Sequence, residues 1–198
     1  MQHPENTPGH DGYLALIDRL SVVQPPVFVF GGFAEDALLA GRTTRPHDDV
    51  DVLVGRAHLV EHLRRFADWG FPAFEIYFEA VPGSPLVYHS ALDGIELELG
   101  VFDELEPGRP SFVLPAEDGL TRVTLSSDSF SHPLGRIDGV PIRTISPLAL
   151  YQMRAALMRS GAFGPPRPKD EAAQAQLRTM LLAHDPPEAL EPHFDPCP

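Results

Sequence analysis

The chain is predicted to be an α+β protein, with an α/β body to about residue 145 and a small helical part after it. Three observations predict this. Short apolar or alternating runs are interleaved with stretches of helical spacing through the first three-quarters of the sequence. One run, 95–102, alternates strictly: Ile95, Leu97, Leu99 and Val101 against Glu96, Glu98 and Gly100. Beyond Ser146 only helical spacing remains. With 198 residues, 43% of them hydrophobic, the chain can bury a core of its own.

The elements follow in order. Residues 12–22 space Leu14, Ile17 and Leu20 along one helical face, and Pro25–Pro26 stops that helix. Val27 to Phe30 is wholly apolar, as a buried strand is, and Gly31–Gly32 ends it. Residues 33–40 read as a helix leaving that turn, 43–47 as a loop, and 49–54 as a second strand. A helix over 58–69 buries Leu59, Leu63 and Phe66; strands over 73–80 and 86–92 can pair; the alternating strand 95–102 follows. Residues 103–135 are rich in turns and give no clear element. Residues 135–143 read as a hairpin about Asp138–Gly139. Ser146–Pro147 starts a helix, with serine as N-cap and proline in the first turn, running to about Arg159. Pro165–Pro168 is a stiff connector, 169–183 a last helix, and the Pro-rich end frays. The division expected is a core over 1–145 and a helical segment with its Pro-rich tail over 146–198. The 22 prolines and 16 glycines have no period and read as turns.

A formal net charge of −13 and a pI near 5.0 give no general attraction for nucleic-acid phosphates. Simple solubility explains such a charge, and it also suits a cationic partner. The single cysteine, Cys197, excludes an internal disulfide and a thiolate zinc cluster. No apolar run approaches the length of a membrane span, and the polar first residues lack a signal core, so the chain reads as cytoplasmic. His58 and His62 are i, i+4 on a helix, but no third ligand stands out.

The residues that carry chemistry lie close together. Asp49 and Asp51, two apart on a strand, direct both carboxylates to one face while Val50, Val52 and Val54 face the core. Carboxylate oxygens suit Mg²⁺, and two such ions about 4 Å apart can clamp the attacking and leaving oxygens of a phosphoryl transfer. Gly31–Gly32 joins a strand to a helix, a place where backbone N–H groups meet phosphates. Glu98, or Glu96 beside it, lies on the polar face of the later strand and can supply a third carboxylate, as metal ligand or general base. Taken singly, each piece has an ordinary structural explanation: solvated charge, a tight turn, an exposed sheet face.

Taken together, the run from Gly31 to Asp51 resembles the signature of the aminoglycoside 2″-type and lincosamide nucleotidyltransferases, in the DNA polymerase β superfamily. That signature is roughly G-G-W-x-x-D-x-x-L-G-x-x-T-R-x-H-x-D-x-D. The matches are Gly31, Gly32, Asp36, Leu39, Gly41 (offset by one residue), Thr44, Arg45, His47, Asp49 and Asp51. Weaker similarity continues through 139–147 and Lys169–Asp170. Two positions depart from the pattern: Phe33 stands for the usual tryptophan, and Glu98 for the common aspartate.

The resemblance implies a nucleotidyltransferase fold, a mixed sheet flanked by helices. It implies transfer of a nucleoside monophosphate from an NTP, ATP in the first instance, to a small-molecule hydroxyl, with an aminoglycoside- or lincosamide-like antibiotic as the model acceptor. Asp49, Asp51 and Glu98 would bind Mg²⁺, two ions being expected, and Glu98 would take the acceptor's proton. Gly31, Gly32, Arg42, Arg45 and Lys169 would contact the nucleotide, with His47 orienting the loop. Asp36 would either hydrogen-bond that loop or bind ligand. Two other readings stay open. One is a toxin-type enzyme acting on tRNA or protein, which the 15 basic against 28 acidic residues disfavour. The other is an inactive nucleotide-binding member of the fold, which the retained carboxylates disfavour.

Overall fold

The computed structural model describes residues 9–106, 109–116, 119–183 and 190–197. His3 and His184, two histidines without ligand spacing in the sequence, lie outside them. The chain runs α1 (His10–Ser21), β1 (Phe28–Val29), α2 (Gly31–Leu39), β2 (Asp49–Gly55), a 3-10 turn at Arg56–His58, then α3 (Leu59–Asp68). Next come β3 (Glu75–Val81), β4 (Ser84–Leu92), β5 (Ile95–Glu106), β6 (Arg109–Ala116), β7 (Gly119–Thr124), β8 (Gly135–Ile137) and β9 (Val140–Ile142). Helices α4 (Pro147–Ser160) and α5 (Pro168–Leu181) and strand β10 (His193–Pro196) complete it.

The main sheet has the order β1-β2-β5-β6-β7-β10, with β4 and then β3 branching from β5. It is a mixed sheet. β2 and β5 run parallel, while β1, β4, β6, β7 and β10 join it by antiparallel pairing. The twelve-residue β5 changes partner along its length: its first half lies between β2 and β4, and beyond Asp103 it pairs with β6.

Alternation sets the two faces. Val50, Val52, Val54, Leu97 and Leu99 are completely buried, in one core with Ile17 and Leu20 of α1 and Phe66 of α3. Burying a residue of this size stabilises by about 2 kcal/mol. Asp49, Asp51, Glu96 and Glu98 alternate with those residues and so occupy the other face. Tyr13 of α1 ties the two strand entrances together, its hydroxyl donating to the Asp48 carbonyl at 2.6 Å.

Most of the expected elements are present. The helix after the glycines begins at Gly31 itself, and the predicted 58–69 helix divides into the 3-10 turn and α3. The hairpin turns at Asp138 (φ 48°) and Gly139 (φ 83°), the pair of positive φ values a tight two-residue hairpin needs. Ser146 caps α4 by accepting from the Ala149 N–H at 3.1 Å. Two regions differ from expectation. Much of the turn-rich stretch after residue 103 is strand: the second half of β5, β6 and β7. The expected frayed end instead carries β10, whose residues 193–196 pair with Thr124 back to Thr121. The tail is therefore not purely helical and loose, because the β7 edge offered its backbone groups a partner.

Candidate active site

Three carboxylates meet where β2 and β5 run side by side. In the parallel register Asp49 faces Glu96 and Asp51 faces Glu98. Asp49, Asp51 and Glu98 each bring an oxygen to within 4.8 Å of the other two. All three are half-buried. Burial raises the pKa of each, and mutual repulsion adds to it: Asp49 and Glu98 raise Asp51, Asp48 and Glu96 raise Asp49, and Asp49 raises Glu98. A divalent cation would relieve this crowding. The all-oxygen donor set fits Mg²⁺, which needs hard ligands and keeps some waters of its own.

Helix α2 starts over this cluster. Gly31 sits at φ 61°, and a Cβ there would run into the Asp51 carboxylate. A Cβ on Gly32 would collide with the His47 ring and come within 2.9 Å of Arg45 Nη2. The two glycines are thus required for helix, loop and carboxylate to approach one another. Among the described residues no side chain caps the N-terminus of α2, which leaves its N–H groups available to an anion.

The loop between α2 and β2 is fixed by a buried carboxylate. Asp36 accepts from the Thr44 N–H at 2.8 Å and from the Thr44 hydroxyl, and bonds His47 Nε2 at 2.8 Å. His47 Nδ1 lies 3.2 Å from Arg45 Nη1, and its ring packs on Phe33 with centroids 4.2 Å apart. Burial lowers the His47 pKa despite the Asp36 contact. Of the two roles open to Asp36, the structure shows the loop contact.

A cavity of about 410 Å³ opens from this cluster. Its cations are Arg45, Arg154, Arg167 and Lys169. Arg154 of α4 pairs with Glu35 of α2 and, at 3.1 Å, with Asp170 of α5. Asp170 also holds the Arg167 guanidinium at 2.8 Å, and these hydrogen bonds keep its pKa well below the usual carboxylate range. This ion-pair chain links both C-terminal helices to α2.

Three solved structures share the architecture. The antibiotic-resistance factor ANT(2″)-Ia in solution is 18% identical over 91% of this chain and 86% of its own, with TM-score 0.61. ANT(2″)-Ia in complex with adenylyl-2″-tobramycin is 19% identical over 86% of this chain and 90% of its own, with TM-score 0.59. The lincosamide antibiotic adenylyltransferase LnuA, with lincomycin bound, is 20% identical over 86% and 94%, with TM-score 0.55. The chain has the nucleotidyltransferase fold. Its sequence matches no family model and, at a significant level, no curated protein.

Within that fold, the sequence-predicted residues separate. Asp49, Asp51, Glu98, Gly31, Gly32, Arg45 and Lys169 all line the cavity. Glu98 is the third carboxylate; Glu96, its neighbour, instead lies 3.5 Å from His89. Arg42 is not brought to the cavity. The turn around it is held by Asp138, which accepts from the Thr43 N–H at 3.0 Å and whose own N–H donates to the Gly41 carbonyl at 3.1 Å, leaving Arg42 exposed to solvent. Arg154 and Arg167 escaped sequence reasoning. The Pro-Lys-Asp start of α5 hinted at the second; nothing local marks the first. Among the described residues no helix is long and apolar enough to cross a membrane.

Proposed function

We propose that the protein is a Mg²⁺-dependent nucleotidyltransferase that moves a nucleoside monophosphate from ATP or another NTP to a hydroxyl of a small molecule, within the range of antibiotic-like acceptors. The observation that carries this reading is the in-register pair Asp51–Glu98, completed by Asp49, beneath the glycine start of α2. Asp49, Asp51 and Glu98 would hold the metal, which would supply charge stabilisation for the reacting phosphate. The N–H groups of Gly31 and Gly32 with Arg45 and Lys169 bind the phosphates. The acceptor oxygen forms a bond to the α-phosphorus while the bond to the β-bridging oxygen breaks, and pyrophosphate leaves. The acceptor's proton passes to Glu98, the one of the three carboxylates carried on β5, next to β4. The neighbours solved with adenylyl-2″-tobramycin and with lincomycin support this reading by their fold.

The test is transfer of α-phosphate label from ATP with Mg²⁺ to aminoglycosides, lincosamides, bulk tRNA or the protein itself, with the Asp49→Asn/Asp51→Asn double variant as blank. Label on a small molecule, lost in the variant, is the expected result. Label on tRNA or protein would move the acceptor to a macromolecule. Absence of any Mg²⁺-dependent ATP binding would remove the proposal.

A further inference from the structure

The chemistry of the cavity changes along the strands that build it. Residues two apart on a strand share a face. Two beyond Asp51 is Leu53, and two beyond Glu98 is Gly100; these two are partners in the β2–β5 register. On β4, His89 opposes Glu98 and Val87 opposes Gly100. A single step of about 7 Å therefore leads from carboxylates to an apolar floor. Phe30 completes that floor, since a Cβ on Gly100 would lie 2.9 Å from Leu53 and 3.5 Å from Phe30. Above it stand Phe112 and Leu114 of β6 and Met153 and Leu157 of α4. The rim carries Tyr77 and Phe163, 61% and 46% exposed, with the Phe163 ring 4.8 Å from that of Phe78.

Charge is confined to the other end. The lining carboxylates are Asp48, Asp49, Asp51, Glu98 and Asp170. The first four gather at the triad, and Asp170 is engaged by Arg154 and Arg167. A polycation extending into the apolar end would meet no carboxylate among the described lining residues, and its ammonium groups would lose water without compensation. Strand order assigns the occupant. The phosphate-binding turn follows β1, on the far side of β2, whereas Val87 and Tyr77 belong to β4 and β3, on the Glu98 side of β5. That is the side from which a hydroxyl must approach Glu98.

We infer that the apolar end receives the acceptor, and that the acceptor is a hydroxylated molecule with an apolar body and at most one positive charge. This rests on the nucleotidyl-transfer reading above. It turns the acidic balance of the chain away from a polycationic acceptor, because the acid in the cavity is committed to metal and arginine.

Calorimetric titration of the full chain, with Mg²⁺ and the non-cleavable α,β-methylene ATP, separates the possibilities. The probes are methyl β-D-glucoside, hexyl β-D-glucoside and tobramycin. The hexyl compound should bind about tenfold or more tighter than the methyl compound, because its extra methylenes leave water; tobramycin should bind no tighter than the methyl compound. Tyr77→Ser and Phe163→Ser, both at exposed positions that folding tolerates, should erase most of the hexyl advantage and leave the nucleotide Kd unchanged. Equal binding of the two glucosides, or tobramycin binding tightest, would overturn the inference. So would weakening of the nucleotide, rather than the glucoside, by Phe163→Ser, since the slot would then hold the nucleobase. Failure of nucleotide binding with the chain-length preference intact would overturn the transfer reading and leave the apolar slot standing.

Discussion

The two ends of the cavity are built on the same pair of strands and differ completely in how they are specified. At the polar end the carboxylate triad and the glycine turn come from a compact stretch, Gly31 to Asp51, plus Glu98 opposite it in register, with Arg154, Arg167 and Lys169 added from the C-terminal helices. At the apolar end Leu53 and Gly100 are joined by residues from β3, β4, β6, α4 and the segment after it. The reacting centre is thus a local motif, and the surface facing the acceptor is assembled from distant pieces. Changes at the first should abolish chemistry, and changes at the second should redirect it.

The largest effect is expected at the triad. Asp51→Asn should lower transfer by about a thousandfold or more, because several kcal/mol of metal-borne charge stabilisation is lost. Without divalent cations the same variant should melt no lower than the wild type, since it relieves a crowded carboxylate cluster. A lower melting point would show that Asp51 also supports the fold.

Second in size is an effect that belongs to neither end and tests whether acid sensitivity arises at the site. His62 of α3 is buried, its Nδ1 has no hydrogen-bond partner among the described residues, and burial pushes its pKa down from 6.5 to about 4. The unfolded chain takes up the proton first. Stability is therefore full above pH 6.5 and falls as pH drops towards 4, by up to about 3 kcal/mol. Urea unfolding at pH 7 and pH 4 measures it, and His62→Leu should remove most of the difference. An unchanged slope in that variant would place the sensitivity elsewhere.

Third, Asp36→Ala should raise the KM for ATP about tenfold to a hundredfold with less change in kcat, since buried His47 loses its partner and Arg45 its support. A pure loss of stability with normal KM would deny the loop its part in binding. The smallest effect contrasts two arginines of one loop: Arg45→Ala should weaken ATP about tenfold, and Arg42→Ala should stay within about twofold, as a solvent-exposed cation contributes little. Equal losses would mean that the loop moves to bring Arg42 inward.

The same contrast explains what could be read from the sequence. The period-two spacing of Asp49 and Asp51 and the strict alternation around Glu98 are local, and so were legible; the chain needed only the correct register to bring them together. Gly31 and Gly32 were legible as a turn, but the collisions that require them involve Asp51, His47 and Arg45, visible only in three dimensions. β6 and β7 were missed because Pro110 and Pro115 interrupt the first and its burial does not alternate cleanly. β10, His-Phe-Asp-Pro, has only Phe194 to favour a strand against Asp195 and Pro196, and it forms where β7 is there to pair with. Arg154 is an ordinary helix arginine until Glu35 and Asp170 arrive from α2 and α5, and Arg167 an ordinary cap of α5, paired with Asp170 of the same helix, until the fold brings both to the cavity.

The β10 pairing has a consequence for association between molecules. An unpaired β7 would present a row of bare amide and carbonyl groups to any neighbouring chain. β10 covers that row and replaces it with a four-residue edge that ends in proline, its Pro196 lacking a donor. At the end of the β4 branch, β3 pairs with no second strand among the described residues, and there the register slips at Ile76/Phe78, Phe78/Glu79 and Glu79/Val81 while Glu75 and Glu79 charge the strand. The sheet thus guards these two margins by different means, a strap at one and an irregular, charged border at the other. Shortening the chain before His193 would leave the enzyme site intact in outline and make the protein prone to polymerise.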